Sequence, residues 1–277
     1  VRPGRDEKII ASWNGMMIRP MAEAGIVFRE PAFADAAVRA GDFLRTTLFP
    51  ETGALHSIRN GVPGIGAFLD DYAHAIDAFL ALYQTTFDRK WFEAALRLTQ
   101  TVIDQFSDEE TGLYFDAAVS AEALVTRPRD LQDGATPSGN AVLALDLIAL
   151  NHITMEDDYR ARAEAILRPL ASVAASQPMG VGKALCAIEA YLASAQEIAI
   201  AAKDGDERIW EFQRVYFDRY NPNAIVGLAL DGDEAAIADM PFLEYRPLRN
   251  GEPAAYLCEH FTCMPPVTTT DELAKLL

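Results

Sequence analysis

Cysteine is scarce in this 277-residue chain: Cys186, Cys258 and Cys263 are the whole set. That is too few for a disulfide framework and fits a reducing compartment, so the cytoplasm is the expected location. Basic residues are also short, 24 against 41 acidic ones for a formal net charge of -17. A nucleic acid or an anionic membrane is therefore a poor partner, because phosphates are gripped by basic patches. No apolar run reaches the length that spans a bilayer, although 50% of the residues are hydrophobic, and the chain reads as soluble and globular with a large core. No methionine opens it. The start Val1-Arg-Pro-Gly-Arg-Asp6 has no apolar signal segment, and the chain reads as a piece of something longer. A P-loop, a dinucleotide-binding glycine fingerprint, a nucleophile elbow and an HExxH pair are all missing, which disfavours those chemistries. No cofactor and no metal is expected.

What is present concentrates at Gly66-Ala-Phe-Leu-Asp70-Asp71-Tyr72-Ala-His74, where two carboxylates, a phenol and an imidazole follow a glycine-rich loop and open an apolar helix. Asp70 lies four positions before His74 and Asp71 three before it, so one helical face can present carboxylate and imidazole together, as acid–base chemistry requires. Acids in a first helical turn also serve as caps, and the two roles are compatible. A second constellation is Asp133-Gly-Ala-Thr136-Pro137-Ser138-Gly139-Asn140. It opens the most apolar helix of the chain, placing Asp133, Ser138 and Asn140 at its entrance, and Gly139 signals close approach of a helix or a ligand. In the third, Ser12-Trp13-Asn14-Gly15, an indole beside a polar group can stack on a sugar ring, or it can be core. Cys258-Glu-His260-Phe-Thr-Cys263 has neither CxxC spacing nor a fourth metal ligand and reads as a structural pair of thiols in a reduced protein.

In chain order, helical spacing is expected from about Lys8 to Phe28, from Pro31 to about Leu44, onward from Tyr72, from Arg89 to Phe106, after Pro137 and from Asp158. Phe33-Ala-Asp-Ala-Ala-Val-Arg leading to Glu51-Thr-Gly53 is echoed by Trp91-Phe-Glu-Ala-Ala-Leu-Arg leading to Glu110-Thr-Gly112, a repeat of roughly 60 residues that is too long for common two-helix solenoids. Helices apolar all round alternate with amphipathic ones, which predicts two concentric layers, an α/α toroid. After about Ser194 the texture turns to β-α-β: Glu197–Ala202, a helix from Arg208 to Phe217, and Asn223–Leu230, followed by Ala254–Cys258 and a final helix from about Asp271. The expected division is 1–194 for the helical hairpins and 195–277 for a small α/β segment.

Taken together, Asp6-Glu-Lys8…Trp13-Asn14-Gly15, Leu69-Asp-Asp-Tyr-Ala73, Asp133-Gly-Ala-Thr-Pro-Ser-Gly-Asn140 and Ala255-Tyr-Leu-Cys258…Cys263-Met-Pro-Pro resemble the spermatogenesis-associated protein 20-like family of thioredoxin-domain-containing proteins. The resemblance implies a mostly α fold, a six-hairpin glycosidase-like (α/α)6 toroid similar to sugar epimerases, with an upstream thioredoxin-like domain as partner. About seven helices are countable, so the ring is expected to be partial, lacking its first hairpins. The reading that follows is a carbohydrate-active domain with a small sugar as ligand. Asp70, Asp71, Asp133 and His74 are its candidate catalytic groups, and Trp13, Asn14, Tyr72, Ser138 and Asn140 its candidate binding groups. The alternative is a non-catalytic scaffold supporting the redox domain.

Overall fold

The structure, a computed structural model, describes residues 3–122, 125–259 and 262–277. His260, which the sequence placed beside the cysteines, lies outside them. Strand β1 (Lys8–Ile10) precedes helix α1 (Ala11–Val27), so the first helix begins later than its apolar spacing predicts. The reason is pairing: Ile9 sits opposite Ile58 in β2 (Ser57–Arg59), which also pairs with β3 (Val62–Pro63). Helix α2 (Pro31–Phe43) starts with Glu30 as N-cap and Pro31 in its first turn, where a missing N–H costs nothing. It continues into a π-helical turn over Leu44–Leu48 that buries both its ends.

Five further helices complete the helical part: α3 (Leu69–Thr86), α4 (Arg89–Phe106), α5 (Gly139–Thr154), α6 (Asp157–Ser176) and α7 (Gly182–Leu192). Helices α1, α3, α5 and α7 pack side by side in sequence, and α2, α4 and α6 lie against them as a second layer. Burial explains the alternation of character. Helix α3 is buried from Leu69 through Thr85 at all but two positions, Asp70 and Asp77. Helix α4 instead buries Trp91, Phe92, Ala95, Thr99 and Val102 and exposes Glu93 and Gln100. The repeated Glu-Thr-Gly falls where outer helices α2 and α4 hand over to the next inner helix. Gly53 and Gly112 there adopt φ of +82° and +73°, a left-handed turn that glycine makes without a Cβ penalty.

The C-terminal part is a four-stranded sheet in the order β5-β4-β6-β7, built from β4 (Gln196–Ala202), β5 (Ala224–Leu230), β6 (Ala254–Glu259) and β7 (Thr262–Cys263). Strands β4 and β5 run parallel across helix α8 (Arg208–Phe217), as the β-α-β pattern requires, and β6 joins β4 antiparallel. Helices α9 (Glu234–Asp239) and α10 (Thr270–Leu276) close the chain. The strand period of two sorts the sheet cleanly. Ala199, Ala201, Ile225 and Tyr256 join the core of the helices, whereas Ile198, Ile200, Val226 and Leu257 pack with Phe212, Tyr216 and Leu273. One expectation is corrected here. Cys258 and Cys263 are not free thiols but a disulfide, because β6–β7 pairing sets them directly opposite each other. Only Cys186 is a free thiol.

Candidate functional site

The N-terminal ends of α1, α3, α5 and α7 meet, and close contacts fix how. Gly15 lies so near α3 that a Cβ there would stand 2.5 Å from the His74 carbonyl oxygen. Gly139 approaches the first turn of α3 in the same way, with a Cβ placed 3.1 Å from the Asp70 nitrogen. Glycine is thus a packing requirement at position 15, and at position 139 it eases a close approach of α5 to the start of α3, the helix contact that Gly139 signals.

The predicted residues divide into two groups. Asp71 is fully buried and spends both oxygens: Oδ1 accepts from the Ser12 N–H at 3.0 Å, and Oδ2 accepts from the Phe68 N–H at 3.0 Å and contacts His56 Nδ1 at 2.8 Å. It ties the start of α1 to the start of α3, and its imidazole partner is His56, not His74. Asp133 does the same for α5 and α7, accepting from the Ser138 N–H at 3.0 Å and the Lys183 N–H at 2.7 Å. Ser138 caps α5 and donates its hydroxyl to the Asp130 carbonyl at 3.0 Å. Asn140, fully buried, accepts from the Tyr114 N–H and donates to the Tyr114 carbonyl, both at 2.9 Å. Asn14 donates to the Ile10 carbonyl at 2.8 Å. These groups hold helix entrances in place.

The second group is not used to tie helix entrances together. Trp13 is 61% exposed on α1. Asp70, half-buried, has its carboxyl pushed up by burial and by the neighbouring Asp71 charge. His74 is 3% exposed, its Nε2 has no partner, and burial pushes its pKa down, so it is neutral near pH 7. Tyr72 points away from these groups. Its ring packs edge-on against Phe49 and Phe106, and it lines a cavity of about 890 Å³ with Phe68, Arg97 and Gln105. Among the predicted site residues only Tyr72 lines that cavity.

Around His74 stand ionisable groups absent from the sequence reading. Asp77 follows on the same face of α3 and takes Arg19 of α1 in a two-oxygen grip, with Nε at 2.9 Å from each oxygen. Asp146 of α5, 2% exposed, has an unpartnered Oδ2. Lys183 of α7 completes the set. Each of the four inner helices therefore supplies a charged or chargeable group to one neighbourhood: Asp77 feels Arg19, Lys183 and His74, and Asp146 feels Asp77, Arg19 and Lys183. Their surroundings drive the two carboxyls apart. Although burial alone would raise it, the paired guanidinium of Arg19 holds Asp77 below the usual carboxylate range; burial and the Asp77 charge raise Asp146 well above it. Two signals in the sequence point here. Asp70, His74 and Asp77 continue a single i, i+4, i+7 stripe, and Asp146 is a lone acid inside Val142-Leu-Ala-Leu-Asp-Leu-Ile148.

No family model matches the chain. Human spermatogenesis-associated protein 20 is 30% identical to it over 293 residues, covering 100% of this chain and 37% of the human protein. The rat protein of the same name is 28% identical over 285 residues, with 98% and 36% covered. The chain thus spans little over a third of the length of the curated relatives it matches. Among solved structures, a GH76 α-mannanase from Bacteroides thetaiotaomicron superposes with a TM-score of 0.54 at 14% identity, covering 89% of this chain and 72% of the other. A cellobiose 2-epimerase from Bacillus thermoamylovorans does so with 0.50 at 14% identity, covering 60% and 45%. The fold is of the six-hairpin glycosidase-like (α/α)6 type, and among the described residues α1–α7 make up a partial set of its hairpins, as expected, with a small sheet added. Among the described residues no helix is long and apolar enough to cross a membrane.

Proposed function

We propose that this homologue of the spermatogenesis-associated protein 20 proteins carries a carbohydrate-processing domain whose reacting groups lie where α1, α3, α5 and α7 pack together. The observation that carries the reading is the convergence of Asp77, Asp146, His74, Arg19 and Lys183, with two nearby carboxyls tuned in opposite directions. Such a pair supplies at one pH what sugar chemistry uses, a protonated carboxyl to donate and an ionised one to accept or to stabilise positive charge. Asp146 is the donor and Asp77 the acceptor in this reading. Neutral His74, with its free Nε2, and Asp70 stand beside them for proton transfer, and Trp13 offers a flat apolar face for a sugar ring. Asp71 and Asp133 act as positioning residues, since their oxygens are occupied by backbone N–H groups. The structural neighbours, a cellobiose 2-epimerase and a GH76 α-mannanase, support the same substrate class.

The test is calorimetric titration of the protein, and of the full-length product of its gene, with a panel of mono- and disaccharides, followed by product analysis. Binding and turnover of at least one sugar are expected, with Asp146→Asn and Asp77→Asn each lowering turnover by about 10²-fold or more. Heat and turnover absent across the panel, in both proteins, would reject the reading. A second reading is a scaffold beside a thioredoxin-like domain. It is favoured by the complete use of Asp71, Asp133 and Asn140 in holding backbone, and it expects those null results together with redox activity in the full-length protein.

A further inference from the structure

The disulfide lies at the far edge of the sheet, and its surroundings are more specific than a structural cross-link needs. Cys258 on β6 is 3% exposed and faces the side of the sheet that meets the helices. Cys263 on the edge strand β7 is exposed, as are Thr262 and Met264 beside it. One cation reaches both sulfurs: Arg246 Nη2 stands 3.0 Å from Cys263 Sγ and 3.3 Å from Cys258 Sγ. That guanidinium is held in place. Its Nη1 donates to the Glu244 carbonyl at 2.8 Å, and its loop is pinned by the Tyr256 hydroxyl, which donates to the Pro247 carbonyl at 2.5 Å. The guanidinium also lies over the Tyr256 ring, 5.7 Å from its centroid.

A disulfide is uncharged and a weak acceptor, so a positioned guanidinium gains little from it. A thiolate would gain much more, because a neighbouring cation favours the ionised thiol. We propose that Cys258 and Cys263 form a thiol–disulfide exchange centre whose partner is a dithiol carried by another protein. A partner thiolate attacks the exposed Cys263 Sγ, forming a mixed disulfide and breaking the Cys258–Cys263 bond. The electron pair leaves on Cys258 Sγ as a thiolate that Arg246 stabilises. The second partner thiol, once deprotonated, attacks its own neighbour's sulfur in the mixed disulfide and releases Cys263 as a thiolate, again beside Arg246. The partner is oxidised to its disulfide by two electrons, and this chain holds the reduced pair. Better leaving thiolates leave faster, which is the contribution of the arginine. Of the two sulfurs, exposure selects Cys263 for attack, and the edge position of β7 leaves room for a protein partner's strand.

Cys186, a free exposed thiol on α7, is an internal control. The natively folded protein is equilibrated in dithiothreitol redox buffers and thiols are counted by mass-tag alkylation. Cys258 and Cys263 are expected to convert together without loss of far-ultraviolet circular dichroism. At pH 7 reduced Cys263, the exposed thiol of the pair, should be alkylated about tenfold faster than Cys186, the change in thiolate fraction that one pKa unit produces. Arg246→Gln should abolish that difference, Arg246→Lys should restore most of it, and Cys186 should be unaffected in both. A recombinant thioredoxin kept reduced by its reductase should open the disulfide faster than glutathione at equal thiol concentration. A bond that opens only in urea, alkylation no faster than Cys186, or equal rates in wild type and Arg246→Gln would each overturn the proposal. Equal rates with thioredoxin and glutathione would overturn the assignment of a protein dithiol.

Discussion

Asp146 carries the sharpest residue-scale consequence. Its folded pKa lies above the ordinary carboxylate value because burial and the Asp77 charge penalise ionisation. A raised folded pKa means the native state holds its proton more tightly than the unfolded chain does. That stability is fully present below the unfolded value near 4 and is lost as pH rises through the folded value. Asp146→Asn, which keeps the shape and removes the charge, is expected to flatten this decline and to match or exceed wild-type melting temperature at pH 7 to 8; melting curves from pH 4 to 8 measure it. A mutant with the same slope as wild type would show that Asp146 is not the group responsible. Asp77 has the opposite sign: its pKa is depressed by Arg19, so its contribution is present above the unfolded carboxylate value and lost as pH falls through the folded one. Since Arg19 is about a third exposed, Asp77→Asn is expected to cost about 2 kcal/mol in urea titration at pH 7, less than a fully buried pair would.

Elements meet through small residues and through side chains that mimic backbone. At Gly15 an added methyl would stand 2.5 Å from the His74 carbonyl oxygen, an atom fixed in the α3 hydrogen-bond ladder, so α1 must move. Gly15→Ala is expected to destabilise by about 1–3 kcal/mol, the usual range for overpacking, and to impair any activity that uses His74. Unchanged urea midpoints would show that the α1–α3 approach is soft. Asn140 exchanges two hydrogen bonds with the Tyr114 backbone as a paired strand would, and Asn140→Ala leaves that N–H and carbonyl without partners, at about 2–4 kcal/mol by the same measurement. Much at this scale was legible. Alternating helix character gave the two layers, the Glu-Thr-Gly repeat marked the outer-to-inner turns, and the apolar runs after Ser194 gave β4, α8 and β5 to within a residue or two. What was not legible depended on long-range partners. The Lys8–Ile10 stretch has helical spacing, yet Ile58 claims it for a strand. The reach of Asp71 to His56 and the pairing of Cys258 with Cys263 follow from loop closure and strand register, which local spacing does not encode. The acid stripe was readable as far as His74, but Asp77 and Asp146 gain meaning only when α1 and α7 bring Arg19 and Lys183 against them.

At the scale of the molecule, the helical hairpins and the sheet share one continuous core. Phe242 and Leu243 pack in the same cluster as α3 and α5 residues, and a Cβ on Gly227 of β5 would meet Phe242 Cζ at 2.3 Å. Polar groups cross the junction as well. Gln84, at the end of α3, accepts from the Val226 N–H of edge strand β5 at 3.1 Å, while its carbonyl accepts from Gln213 Nε2 of α8 at 2.8 Å. His152 Nδ1 of α5 contacts Glu197 Oε1 of β4 at 3.1 Å. Removing the sheet would uncover the apolar ends of α3 and α5 together with these partners, so the two parts are expected to unfold in one step. Trp91, buried on α4, and Trp210, stacked on Phe87 at 5.9 Å between α8 and the α3–α4 turn, report on the two parts separately. In urea, fluorescence of Trp13→Phe/Trp91→Phe and Trp13→Phe/Trp210→Phe variants, each keeping one of the three tryptophans, should give transitions that coincide with each other and with far-ultraviolet circular dichroism, after correction for each variant's own stability. Gln84→Ala should move both tryptophan signals together by about 1–2 kcal/mol, because it strands a buried N–H at the sheet edge. A sheet transition that precedes an intact helical one would show instead that residues 195–277 fold as a separate unit, and would detach the exchange disulfide energetically from the acid cluster of the inner helices.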